Sequence, residues 1–182
     1  MVSSQTKIMS LQIDLVEANL ERLQGRMPEL PVVSIMLSRL LQHVGRGMHV
    51  MLEHNLRRCE LNEAEFRVLT SLFSQPDGIA HPGDLCGSTD QSPANMSRIS
   101  DALVDRGLIT RVPSLQDRRK LVLHMTPPGE DLVRQLLPPM YRALRTMLKD
   151  FSENEQKDLI GKLKRLSAEL ELAVAPPAEE PT

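Results

Sequence analysis

Residues 81–126 read HPGDLCGSTDQSPANMSRISDALVDRGLITRVPSLQDRRKLVLHMT. This stretch predicts two short helices joined by a tight turn, then a basic hairpin. The first helix covers His81 to Cys86, and Gly87-Ser88-Thr89-Asp90-Gln91 forms the break. The second opens at Ser92-Pro93 and runs to Arg106. Ser92 suits an N-cap, Pro93 the first helical position, and Gly107 a left-handed stop. Met96, Ile99 and Leu103 fall at i, i+3 and i+7, so one stripe of this helix is apolar. Ser92, Asn95 and Arg98 lie off the stripe. A helix whose first turns show short polar side chains and an Arg fits a major groove and can read base edges. Thr89, Gln91 and Ser97 join the candidate contacts.

Working outward, residues 108–112 predict a short strand and 120–126 its return, with Leu121, Leu123 and Met125 on one face. The loop between them is polar and ends in Arg118, Arg119 and Lys120. A helix-turn-helix followed by such a ribbon is a winged helix, and an Arg on the ribbon suits a narrow, negative minor groove. A solvated hairpin tip, partly neutralised by Asp117, is the plainer reading of the same basic cluster.

These residues carry a family resemblance. Arg98-x-x-Asp101-x-Leu103-x-x-Arg106-Gly107-Leu108-Ile109-x-Arg111, then Asp117-x-Arg119 and Met125-Thr126, resemble the winged-helix signature of the MarR family of bacterial regulators. The resemblance spans roughly residues 30–172. The long N-terminal segment and Leu137-Pro138-Pro139 look most like the branch that represses multidrug efflux pumps. In such proteins one wing Arg is held by an acid while another enters the minor groove. That implies Asp101 or Asp117 holding Arg119 and leaving Arg118 free, or the reverse order.

The rest of the chain predicts helices that need a partner. Residues 1–30 form an arm with a weak stripe at Leu11, Leu15, Val16 and Ala18. Residues 32–58 form a long helix with Val33, Leu37, Leu40, Leu41, Val44, Met48, Met51, Leu52 and Leu56 near helical spacing. Asn62 and Glu65 make a capping box for the next helix. Past the wing, Pro138 and Pro139 should bend or restart the helix that begins near Pro127. Ser152 and Glu155 cap the last one, apolar at Leu159, Leu163, Leu166 and Leu170. The expected fold is mainly α, a winged helix-turn-helix with added N- and C-terminal dimerisation helices. Its parts are an N-terminal arm (1–30), a MarR-like body (31–172) and a disordered tail (173–182). The body divides into a DNA-binding lobe (61–126) and dimerisation helices (32–58 and 127–172). A two-fold homodimer presents two reading heads to a pseudo-palindrome in double-stranded DNA.

Arg39, His43, Arg46 and His49 lie along the first long helix. Each is read most simply as a polar dimer surface or a satisfied His. The resemblance adds a ligand pocket, since MarR-like regulators bind small aromatic acids beside this helix. Arg39 and His43, four apart, share a face with Met36 and Leu40, and Phe66 would be a wall. A carboxylate there would be held by the Arg and the His.

Composition narrows the classes further. The net charge of −2 gives no global support for nucleic-acid binding, although bases cluster between Arg98 and Lys120 and acids after Asp150. With three Phe, one Tyr and no Trp, the ten Met and the many Leu must fill the core. No run approaches the roughly 20 apolar residues of a membrane span, and no secretion signal opens the chain. Two cysteines, Cys59 and Cys86, fit a reducing compartment, so a cytoplasmic protein is expected. There is no metal-ligand spacing, no phosphate loop and no nucleophile motif, so no cofactor and no enzymatic activity are expected. The resulting expectation is a ligand-responsive repressor of efflux or aromatic-catabolism genes, released by a small aromatic acid or a hydrophobic drug-like ligand. The alternatives are an oxidant sensor acting through Cys59, which follows Arg57-Arg58, and a helical adaptor that does not bind DNA.

Overall fold

The computed structural model describes residues 2–114 and 120–174. They fall into two compact units, Met1–Val133 and Arg134–Thr182.

The first unit begins with helices α1 (Val2–Gln24) and α2 (Val32–Leu56), which pack on one another. The weak stripe of residues 1–30 thus belongs to a 23-residue helix, and Leu20 is buried. Helix α2 ends two residues earlier than its periodicity suggests. Arg57–Cys59 tighten into a 3₁₀ turn, and Glu60 takes the left-handed conformation that lets the chain reverse. Helix α3 (Glu63–Phe73) starts on the anticipated capping box. The Glu65 amide donates to the Asn62 side chain at 2.9 Å, and the Asn62 amide donates to the Glu65 carboxylate at 3.0 Å.

Next come strand β1 (Ile79–Ala80), helices α4 (Pro82–Thr89) and α5 (Pro93–Asp105), and strands β2 (Ile109–Pro113) and β3 (Leu121–Met125). The sheet is antiparallel with order β1-β3-β2, and Ile79 faces His124 while Arg111 faces Leu123. Two residues are too few for an alternation to show, so β1 escaped the pattern that revealed the hairpin. The apolar face of β3 also differs from strict alternation. Val122 and Leu123 are both buried, whereas Leu121 is exposed at the open end of the ribbon.

The core of this unit is built by Leu56, Val68, Leu69, Leu72, Leu85, Met96, Ile99, Leu103, Ile109 and Leu123, all nearly inaccessible. Burying one such side chain is worth about 1.5–3 kcal/mol. The core therefore fixes the two short helices and the ribbon as one body. Helix α6 (Pro127–Met147) starts against this body. The Thr126 hydroxyl donates at the corner left by α5, with the Gly107 carbonyl at 2.7 Å and the Leu108 carbonyl at 2.9 Å. The Thr126 amide donates to the same Leu108 carbonyl, and the first turn of α6 lies so close that only glycine fits at 129.

Pro138 and Pro139 lie inside α6 and do not restart it. Each ring removes one backbone donor, but the turns on either side keep their own helix bonds and hold the segment helical. The second unit holds the rest of α6 and helix α7 (Glu153–Val174). Ser152 and Glu155 cap α7 reciprocally, at 2.8 and 3.3 Å. The Ser152 hydroxyl also donates to the Glu155 carboxylate at 2.6 Å, and this bond, with the one from the Ser152 amide, holds the carboxyl below its usual value. No described residue of α7 is buried, and Leu159, Ile160, Leu163, Leu166 and Leu170 stand in solvent. On α2, Val33, Leu37, Val44, Met48 and Val50 are likewise exposed. No described helix is long and apolar enough to cross a membrane. The anticipated tail lies, from residue 175 on, outside the described residues.

Candidate nucleic-acid interface

Helices α4 and α5 are set by two of the three residues between them, Asp90 and Ser92. Helix α4 runs to Thr89, three residues into the expected break, because Asp90 accepts the left-handed conformation (φ 55°) that ends it. Ser92 then caps α5, its hydroxyl accepting from the Asn95 amide at 3.2 Å, and Pro93 occupies the first turn. Gly107 is left-handed as anticipated (φ 68°), and Met96, Ile99 and Leu103 face the core. The opposite face of α5 presents Ser92, Ser97 and Arg98 to solvent, with Asn95 half-buried beside them.

One expected member of this face is elsewhere. Thr89 is 1% exposed, and its hydroxyl donates to the Leu85 carbonyl at 2.6 Å. It closes α4 from the inside and is not available to a duplex. Gln91, Asn95 and Arg98 form a line. Gln91 donates to the Thr89 carbonyl at 3.0 Å, and Asn95 donates to the Gln91 side-chain oxygen. Arg98 donates to the Asn95 oxygen through Nη2 at 2.8 Å and through Nε at 3.2 Å.

Two arginines given no role in the sequence reading tie α5 to its surroundings. Arg111, on β2, pairs with Asp101 and also donates to the Ser97 carbonyl at 2.9 Å. Asp101 therefore serves a strand Arg of the ribbon's base. Its proposed partner Arg119 lies, with Arg118 and Asp117, outside the described residues. Lys120 is exposed, and its carbonyl accepts from Ser114 across the ribbon at 2.8 Å. Arg106 reaches back to the turn after α2, donating to the Cys59 and Glu60 carbonyls at 2.8 Å each, with Glu65 at 3.9 Å. Both arginines belong to the quoted signature. What could have marked them was their place on either side of the Gly107 corner, where a helix exit and a strand must be held together.

On α2, the structure gathers Met36, Arg39, Leu40 and His43 into one cleft of about 310 Å³. Arg46 and Gln42 line it too, and the facing wall is Ile13, Leu15 and Val16 of α1. Phe66 is not a wall. It sits at the edge of the α3 core, 9% exposed, because α1 and not α3 covers this stretch of α2. His43 Nε2 is buried without a hydrogen-bond partner among the described residues, and no described carboxylate pairs with Arg39 or Arg46. The arrangement suits an apolar body carrying an anionic group.

Further along α2, His49 lies 2.7 Å from Glu63 of α3 and 3.5 Å from Glu53. Burial pushes the Glu63 carboxyl up, but hydrogen bonds and charge from Arg67 and His49 outweigh it and hold the group below its usual value. Cys59 and Cys86 are both free and half-buried. Cys86 leans on the Pro82 carbonyl at 3.4 Å. No cluster of metal-ligating residues occurs among the described residues.

Residues 61–121 match the model of the MarR family. The transcriptional repressor MprA of Escherichia coli K12 is 30% identical over 86% of this chain and 89% of its own. Among solved structures, AbsC, a MarR family regulator of Streptomyces coelicolor, superposes with a TM-score of 0.72 at 22% identity. That match covers 78% of this chain and 96% of AbsC. Sco3205 of the same organism, solved in complex with DNA, has a TM-score of 0.70 at 19% identity, over 81% of this chain and 91% of its own.

Proposed function

The chain belongs to the MarR family, and we propose that it is a dimeric repressor that a small, apolar acid releases from a pseudo-palindromic operator. The observation that carries the DNA reading is the polar face of α5 locked to the ribbon through Arg111. It offers a helix of groove-reading size, capped by Ser92, with Asn95, Ser97 and Arg98 forward. Lys120 extends the contact along the ribbon, and Arg118 and Arg119, next to it in sequence, add positive charge for the phosphates. The repressor MprA supports the direction of control. The exposed apolar faces of α2 and α7 support a two-fold dimer, since a monomer gains nothing from leaving so many leucines in water.

The releasing ligand occupies the cleft on α2, where Arg39 and His43 take its carboxylate and Met36, Leu40 and the α1 wall take its body. A ligand shifts the protein only by its differential affinity for two states, so it must favour a dimer whose reading heads do not match successive major grooves. The regulated genes are then those that export or degrade such acids.

Selection from genomic DNA fragments tests the first half. One pseudo-palindrome should be enriched, with half-sites about 10 base pairs apart and affinity falling steeply with salt. If no motif is enriched at any salt, the helical-adaptor reading replaces this one. For the second half, salicylate should raise the melting temperature and weaken operator binding together. Arg39→Leu with His43→Phe should abolish both responses and leave operator binding intact. An unchanged response moves the ligand site elsewhere.

A further inference from the structure

The line of side chains on α5 has a direction. The Thr89 carbonyl can only accept, so Gln91 must point its amide nitrogen at it and its oxygen outward. That oxygen accepts from the Asn95 nitrogen, which turns the Asn95 oxygen toward Arg98. The Asn95 oxygen then takes two protons from one guanidinium, from Nε and from Nη2. A backbone carbonyl at the end of α4 thereby fixes, through two amides, the plane of an exposed Arg.

Two consequences follow for recognition. Both lone pairs of the Asn95 oxygen are used, and one of its two N–H groups is given to Gln91. The paired contact by which an Asn reads adenine needs that oxygen as an acceptor, so Asn95 is not set up to make it. Arg98, in contrast, has spent only the edge formed by Nε and Nη2. The edge formed by Nη1 and the second proton of Nη2 has no partner among the described residues, and it is the edge that fits guanine O6 and N7.

We propose that Arg98 reads a guanine in each half-site through this free edge, and that Asn95 and Gln91 are positioning residues that hold it in plane. The proposal rests on α5 being the DNA-reading helix. It deepens that reading by naming the base and separating the group that touches it from the groups that aim it. Asn95, taken above as a base contact, acts here through Arg98.

The test uses the full-length dimer and the site obtained by selection. Each conserved guanine is replaced in turn by 7-deazaguanine, which lacks only the N7 acceptor. Wild type should lose about ten- to a hundredfold in affinity at one guanine per half-site, the range of a single paired contact. Asn95→Ala should shrink that penalty to a few-fold while keeping the melting temperature of wild type. Asn95→Asp, which retains an acceptor for Arg98, should keep the penalty even if its absolute affinity falls. Gln91→Ala should give an intermediate penalty, and Arg98→Lys should remove it. The proposal is overturned if Asn95→Ala keeps the full penalty, or if it instead relaxes a preference for adenine. Sequence-independent binding by wild type would overturn the DNA-reading role of α5 itself, which is a different result from either.

Discussion

Replacing Gly129 with alanine should detach the first turn of α6 from the corner behind α5. A Cβ built there lies 2.1 Å from the Leu108 carbonyl oxygen and 2.7 Å from the Met125 sulfur. The sulfur can swing away; the carbonyl cannot, because it accepts from both the Thr126 amide and the Thr126 hydroxyl. The helix start must therefore retreat by about 1 Å, in an interior packed like an organic crystal. Overpacking of this kind costs about 1–3 kcal/mol, and each strained Thr126 bond adds about 1 kcal/mol. Alanine recovers about 1 kcal/mol of helix propensity. The net is about 3 kcal/mol. At about 2–4 °C per kcal/mol for a chain of this length, the melting temperature should fall by roughly 6–12 °C. Gly87→Ala is the internal control. Gly87 is exposed within α4 with nothing within 4 Å of an added Cβ. That change should raise stability by about 0.4–1 kcal/mol. Both are read from thermal melts at one protein concentration. A Gly129→Ala protein that melts within a degree of wild type would refute the contact, because no relaxation short of moving α6 removes a clash with a bonded carbonyl.

Three further outcomes are expected. Arg106→Met should lower stability by about 2 kcal/mol, since it strips two carbonyls of charged donors, while Glu65→Gln should change little in that contact because the pair is 3.9 Å apart; denaturant midpoints decide it. Thr89→Val should cost about 1 kcal/mol and leave the selected DNA motif unchanged, because its hydroxyl serves Leu85; a changed motif would put Thr89 back on the reading face. Glu63 titrates below its usual value in the folded state, so its stabilisation is complete above 4.5 and is lost as pH falls through the lower folded value. The melting-temperature gap between wild type and Glu63→Gln should thus hold steady from about pH 6 to 5 and close on further acidification; a gap that widens in acid contradicts the assignment.

What the sequence made legible was whatever repeats at short range. Ser92, Pro93 and Gly107 declare the ends of α5, and Met96, Ile99 and Leu103 declare its buried side, because a cap and a 3.6-residue period are local facts. Thr89 was misplaced since a threonine beside a turn can face either way, and only the back-bond to Leu85 shows which. Phe66 was expected as a wall of the cleft on α2 because the resemblance implied a pocket beside that helix, yet the wall is Ile13, Leu15 and Val16 of a helix with only a weak stripe. Asp101 needed a basic partner, and the choice among Arg111, Arg118 and Arg119 is a question of strand register. The prolines at 138 and 139 show the limit of a local rule, since their surroundings keep the helix going.

The bond from Arg111 to Asp101 and Ser97 makes α5 and β2 a fixed calliper. Its opening is decided when the protein folds, and no duplex can adjust it without breaking a charged pair. On the proposed reading, a DNA segment whose grooves do not match that opening must itself bend or change groove width. Such deformation is cheap at some base steps and costly at others. Affinity would then depend on bases that no side chain touches, and an operator would be selected partly by how readily it yields.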